Sequence, residues 1–133
     1  MKKQNYLLIL ISFMLLLIMT ACSEEEKADD DVPQIVEVEI LLPEDISVGE
    51  AVTLSSYISQ GGEDVNDADD VTFEIWEESA SDEDHDRILA EFDQDGTYSI
   101  SYTFETAGTY HIISHVNARE MHVMPEEIIE VKE

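Results

Sequence analysis

Seven short runs of period-two hydropathy, turn signals between them and no convincing amphipathic helix predict an all-β chain. At this spacing the expected architecture is a seven-stranded antiparallel immunoglobulin-like β-sandwich over residues 35–133. The first strand is read from Val36, Val38, Ile40 and Leu42, which alternate with Glu37, Glu39 and Leu41 until Pro43 ends the run. Ala51 to Ser59 is the second, introduced by Val48-Gly49 and closed by Gly61-Gly62. Val71, Phe73 and Ile75 alternate with Thr72, Glu74 and Trp76 in the third. Arg87 to Phe92 is a shorter fourth candidate. Tyr98, Ile100, Tyr102 and Phe104 form the cleanest alternation, entered through Asp95-Gly96. Ala107-Gly108 turns into Thr109 to Val116, and Glu126 to Lys132 follows Pro125 as the last strand. The inward set expected from this pattern is Val38, Ile40, Val52, Leu54, Phe73, Ile75, Tyr98, Ile100, Tyr102, Phe104, Tyr110 and Ile112. Burial at roughly 1.5–3 kcal/mol per side chain is adequate for a domain of this size. With one cysteine in the chain, no disulfide can staple the sheets, so packing must hold them.

The segment ahead of this domain has a different design. Lys2 and Lys3 precede an unbroken apolar run, Tyr6 to Met19, which small residues close at Thr20-Ala21. That is the layout of a secretory signal, and the run is short of the roughly 20 apolar residues that a membrane-spanning helix needs. Met19-Thr20-Ala21-Cys22 resembles a lipobox, which implies cleavage after residue 21 and a diacylglyceryl group on Cys22. Acylation also accounts for a lone thiol on an exported chain. Two or three acyl chains anchor firmly where one holds only marginally. Residues 22–34 carry a run of acid and almost no apolar content, so they are read as an acidic tether. A flexible tether of this length spans roughly 20 Å. The expected location is extracytoplasmic, lipid-anchored to the outer face of the cytoplasmic membrane.

Charge narrows the partners. The whole chain carries 32 acidic residues against six basic ones, a formal net charge of −26, and removing the signal takes away two of the six. Nucleic acid and anionic lipid surfaces are therefore excluded as electrostatic partners. The lipid, not charge, must hold the chain at the membrane. Two loops concentrate acid: Gln60 to Asp70 and Glu77 to Asp86. The first lacks the alternate ligands and the glycine of a calcium loop, so an EF-hand reading fails and calcium is not expected. Solvated charge is the expectation for both loops, with His85 in the second as an exposed bystander.

Chemistry concentrates in His111 to Pro125 (HIISHVNAREMHVMP), which holds three of the four histidines together with Met121 and Met124. Outside the cytoplasm, imidazole with thioether suits copper, because soft thioether favours Cu(I) and imidazole serves either oxidation state. Spacing narrows the ligands. His111 and His115 share a strand face but stand four residues apart, roughly 13 Å at ~3.3 Å per residue, too far for one ion. His115 ends its strand beside the following loop. His122 and Met124 stand at i and i+2 and would point to one side of an extended segment. The expected ligand set is His115, His122 and Met124, with Met121 as a fourth only if the loop turns. The competing reading is structural, with the methionines packed beneath the loop and His115 bonded to backbone. No Gly-x-Ser-x-Gly, His-Glu-x-x-His or phosphate-cradling glycine loop is present, so no enzyme is expected.

His115-Val-Asn-Ala-Arg-Glu-Met-His-Val-Met-Pro125 resembles the hallmark of YtkA-like domains, found in lipoproteins of Bacillus-type bacteria and related to the FixH-like family. Gly49-Glu50, Asp67-Ala68 leading into Val71 to Trp76, Asp95-Gly96-Thr-Tyr98 and Ala107-Gly108-Thr-Tyr110 match as well. The resemblance runs from about Val36 to Val131, with departure expected at the acidic insert around Ser79 to Asp86. It implies an immunoglobulin-like sandwich outside the membrane and points loosely to copper handling and oxidase assembly. The alternative is a metal-free interaction domain that contacts another envelope protein.

Overall fold

Alternating side chains along the strands resolve into two facing sheets. The structure is a computed structural model describing residues 33–133; the expected signal peptide, Cys22 and nearly all of the acidic tether lie outside the described residues. In chain order the strands are β1 (Val36–Leu41), β2 (Ile46–Ser47), β3 (Ala51–Gln60), β4 (Glu63–Asp64), β5 (Asp70–Glu77), β6 (Asp86–Leu89), β7 (Glu91–Gln94), β8 (Thr97–Thr103), β9 (Gly108–Ala118), β10 (Met121–Val123) and β11 (Glu126–Lys132). One sheet has the order β1-β3-β8-β7 with β4 beside β3; the other has β2-β11-β9-β5-β6 with β10 beside β9. Main-strand pairings are antiparallel, and the short β2 runs parallel to β11. Read as immunoglobulin strands these sheets are A-B-E-D and A′-G-F-C-C′. The fold class expected from the sequence is the one observed.

The expected strand at Arg87 to Phe92 is corrected. Its first half, β6, pairs with β5 in one sheet, and its second half, β7, pairs with β8 in the other. Ala90 is the crossing point, and its N–H donates to Val71 O at 2.8 Å. Hydropathy could not reveal the break, since side chains on both halves alternate in the same way while the chain changes partners. Pro43 performs a similar service. With no N–H to donate, it ends β1 and lets the chain pass to β2 on the opposite sheet.

The segment expected as an extended loop after β9 is also more ordered than its sequence suggested. β9 continues to Ala118 and doubles back through Arg119-Glu120 into β10, with Ala118 opposite Met121. Both turn residues have positive φ, 52° and 62°, as a two-residue type I′ hairpin requires. At the same end of the domain, in the other sheet, the expected Asp95-Gly96 serves the same purpose, at φ 45° and 72°. A Cβ on Gly96 would stand 2.5 Å from Ile58 O, so glycine is required there for close approach as well as for φ.

The core divides into two clusters. Leu54, Phe73, Ile75, Ile100, Phe104 and Ile112 dominate one, while Val36, Ile58, Val65, Val71, Tyr98 and Val116 make the other. Between them Ser56 of β3 and Ser114 of β9 meet across the sheets, both fully buried, at 2.6 Å. Each stands on its strand between a residue of one cluster and a residue of the other. This hydroxyl pair links the same two strands, B and F, that a disulfide joins in antibody domains. Tyr110 at the start of β9 donates to Thr106 O at 3.0 Å, the tyrosine corner of the same fold family. Of the expected core, Val38, Ile40 and Tyr102 are only half-buried and pack against its margin. Val36, Ile46, Ile58, Val65, Val71, Val116, Ala118 and Val131 join it.

Candidate metal centre on the outer sheet face

β10 and β11 lie against the same edge of β9 in one continuous register, so they behave as a single strand interrupted at Met124-Pro125. Pro125 cannot donate to the ladder, but its carbonyl still accepts from Ser114 N at 3.1 Å. This register sets Met124 opposite His115, and His122 pairs with Asn117. Alternation then sorts the sides. Val123 packs toward the core, while His122 and Met124 are exposed. The His115 and His122 rings come to 6.0 Å between centroids.

Of the four residues expected to form the site, the structure brings together His115, His122 and Met124 and leaves Met121 apart. Met121 faces inward, packing against the second core cluster, and its Sδ accepts from Val36 N at 3.5 Å. The reason is parity. Met121 is one residue from His122 on a strand, so its side chain takes the opposite side. The hairpin turn falls before Met121 and does not reverse that.

Each of the two imidazoles has one nitrogen committed. His115 Nε2 donates to Glu74 Oε2 at 2.6 Å. His122 Nδ1 donates to Asn117 Oδ1 at 2.6 Å. The other nitrogen of each ring, Nδ1 of His115 and Nε2 of His122, has no hydrogen-bond partner among the described residues. Metal-binding histidines are commonly arranged in this way, with an outer acceptor fixing tautomer and ring orientation.

Glu74 is the residue the sequence concealed. Its place in β5 points it outward, where an acidic side chain reads as solvated, yet it is 7% exposed. Neighbours distant in sequence cover it. His85 Nδ1 and Arg87 Nη2 both donate to Oε1 at 2.8 Å, while His115 holds Oε2. The hydrogen bond from His85 leads in lowering its carboxyl from the ordinary 4.5 to about 2; the bonds from Arg87 and His115 add to this, against a desolvation that raises it. Glu74 is therefore a carboxylate that only accepts. His85-Asp86-Arg87, with its donor side chains at i and i+2 entering β6, is the one local signal that could have pointed to this face.

The expectation that His85 is an exposed bystander is overturned. Its side chain is 11% exposed and it stacks on Trp76 at 4.3 Å between ring centroids. His111 stacks on Trp76 at 5.0 Å from the β9 side, and its Nδ1 donates to Glu126 at 2.7 Å. β6 and β9 flank β5 on opposite edges, so the three rings form a row, His85–Trp76–His111. All four histidines thus lie on one outer sheet face.

The acidic loops have other roles. Asp64 accepts from Tyr57 and Asp67 from Arg119, the latter at 2.7 Å, and Asp86 accepts from Tyr102 at 2.6 Å. Burial and the hydrogen bond to Asp86 push the Tyr102 phenol up. Among the described residues no group of three or more His, Cys, Asp or Glu is placed to hold a metal. A metal on this face would rest on two imidazoles and a thioether. Nor is any helix among the described residues long and apolar enough to cross a membrane.

A family profile described as YtkA-like matches residues 30–115, well over half of the chain. The chain belongs to the YtkA-like family. No curated protein sequence matches it. Among solved structures, this YtkA-like chain is similar to a superoxide reductase (neelaredoxin) from Ignicoccus hospitalis. The identity is 15% and the TM-score 0.46, over 81% of this chain and 88% of that one. It is also similar to a conjugative transposon lipoprotein from Bacteroides eggerthii, at 17% identity and TM-score 0.40, over 77% of this chain and 99% of that one. At these identities nothing about activity carries across to the YtkA-like domain. The profile ends at His115, so His122 and Met124 lie beyond the matched residues.

Proposed function

We propose that this protein is a lipid-anchored extracytoplasmic binding module that holds copper through His115, His122 and Met124, serving metal handling or oxidase assembly without catalytic turnover. The observation that carries this reading is the hairpin geometry. Two imidazoles 6.0 Å apart and a thioether share one exposed face, and each ring has one nitrogen fixed and one free. Two nitrogens with a soft sulfur favour copper over calcium or magnesium, which seek oxygen. The anchor rests on the lipobox-like Met19 to Cys22.

Titration of the protein with Cu(I) against a colorimetric chelator tests the site. Saturable one-to-one binding tighter than micromolar is expected, weakened at least roughly tenfold in a His122→Ala, Met124→Ala double variant. Absence of such binding, or equal binding in the double variant, sinks the copper reading. For the anchor, Cys22→Ala is expected to abolish incorporation of labelled palmitate; persistent labelling rejects Cys22 as the attachment site.

A second reading is a metal-free interaction domain of the cell envelope whose acidic surface is simply solvated. It is favoured by Leu89 and Ile128, which are 66% and 59% exposed on the same outer face as the histidine and tryptophan row. It predicts that substituting Leu89 and Ile128 abolishes co-purification of an envelope protein, whereas removing copper leaves it intact.

A further inference from the structure

The copper reading leaves Glu74 without a role, although it is the most deeply buried carboxylate of the outer face. We propose that Glu74 is the positioning carboxylate of the metal centre, holding His115 by Nε2 so that Nδ1 is the nitrogen offered to copper. The proposal rests on the copper reading and deepens it by stating which atom of His115 binds and what holds it there.

Three observations carry it. First, the Glu74–His115 contact is short, 2.6 Å, and joins a buried acceptor on β5 to a ring on β9. The two strands are neighbours, with Glu74 paired to Ile113 and His115 paired to Thr72, so the contact is diagonal and on one face. Second, the other oxygen of Glu74 is saturated. Oε1 accepts from both His85 Nδ1 and Arg87 Nη2, so the carboxylate cannot rotate away from His115 without breaking two bonds. Third, His85 is itself held. It lies against Trp76, which His111 backs from the other side, and His111 is tied to Glu126. The whole row fixes Glu74, and Glu74 fixes His115.

The chemistry follows. An ionised carboxylate accepts and does not donate, so the proton of His115 is kept on Nε2 and the lone pair on Nδ1. A carboxylate behind a ligating imidazole raises its basicity and removes ring freedom before the metal arrives. His122 is held the opposite way, by Nδ1 on Asn117, which leaves Nε2. The centre therefore pairs Nδ1 of one histidine with Nε2 of the other, a combination selected by the two outer acceptors, Glu74 and Asn117.

The test uses the full chain in detergent, labelled with 15N-histidine and loaded with Cu(I), which is diamagnetic. In the wild type, copper is expected to move the Nδ1 resonance of His115 and the Nε2 resonance of His122. Coordination through Nε2 of His115 overturns the proposal and leaves the copper reading standing. No saturable Cu(I) binding at all overturns both. Two variants then grade the carboxylate. Glu74→Gln keeps an acceptor without its charge, and Glu74→Leu removes it. Affinity is expected to fall in that order, reaching roughly 10- to 100-fold in Glu74→Leu. Wild-type affinity in Glu74→Leu overturns the proposal. If Glu74→Leu does not fold, the Glu74→Gln titration and the identity of the wild-type nitrogen decide the matter.

Discussion

A buried carboxylate and a buried serine pair each do what apolar packing cannot, and both make measurable predictions. Glu74 is held near 2 in the folded state, while the unfolded chain takes up the proton near 4.5. Its contribution is therefore complete above pH 4.5 and drains away as pH falls towards 2. The difference corresponds to on the order of 3 kcal/mol. Urea denaturation at pH 7 and then down through this range should show wild type more stable than Glu74→Gln at pH 7, with the gap closing on acidification. A gap independent of pH rejects this account. Ser56 and Ser114 satisfy each other at the centre of the core. Replacing either by alanine strands a buried hydroxyl, at a cost of about 1–3 kcal/mol, whereas the double alanine variant leaves none stranded. A double-mutant cycle by chemical denaturation is expected to find the double variant no worse than the poorer single. Strict additivity would argue against the pair acting as a unit. Neither feature was legible as important from the sequence. Glu74 sits where alternation assigns solvent, and a serine among Thr53, Ser55 and Ser59 carries no mark of burial. Their partners are 11 to 58 positions away in the chain.

Among the elements, those with their own local grammar were readable and those defined by a partner were not. Tyr98 to Phe104 announced β8 because each inward aromatic or aliphatic residue met a cluster directly. β6 and β7 read as one run because a change of sheet leaves no trace in alternation. β10 was hidden for a different reason. Its turn, Arg119-Glu120, lacks the Asn-Gly or Asp-Gly that would mark a type I′ hairpin. Non-glycine residues in the left-handed region cost about 1–2 kcal/mol each. Glu120→Gly is accordingly expected to stabilise the domain by about 1 kcal/mol, raising Tm by roughly 4–8 °C for a domain of this size. Differential scanning calorimetry measures it, and a lowered Tm would show that the turn is not strained. Arg119 is the less suitable target because its guanidinium holds Asp67 and pins the hairpin to the neighbouring loop. The candidate ligands depend on this hairpin. His115, His122 and Met124 were readable as a set from their spacing, whereas the exclusion of Met121 required knowing that the chain turned before it.

Over the whole molecule, charge and the absence of thiol in the core are the governing facts. Thirty-two acidic residues oppose six basic ones, and the three basic side chains among the described residues, Arg87, Arg119 and Lys132, are each paired with a carboxylate. The remaining acids repel one another across a small surface. Salt screens such repulsion within a Debye length of about 10 Å at 0.1 M. Tm is therefore expected to climb by several degrees between low salt and 0.5 M sodium chloride, measured by circular dichroism; a fall with salt would mean that the ion pairs outweigh the repulsion. The broad class, the anionic character and the sandwich were all visible from composition and periodicity, because they are sums over many residues. The outer face was not, because it exists only once β5, β6 and β9 lie side by side. One consequence of the Ser56–Ser114 clasp concerns the redox environment. Antibody-type domains that rely on a cystine between these strands need an oxidant to mature and come apart under reductant. A clasp made of two hydroxyls needs neither, and it gives a redox-active metal no sulfur–sulfur bond to attack. The domain can meet oxidising or reducing surroundings with its interior unchanged.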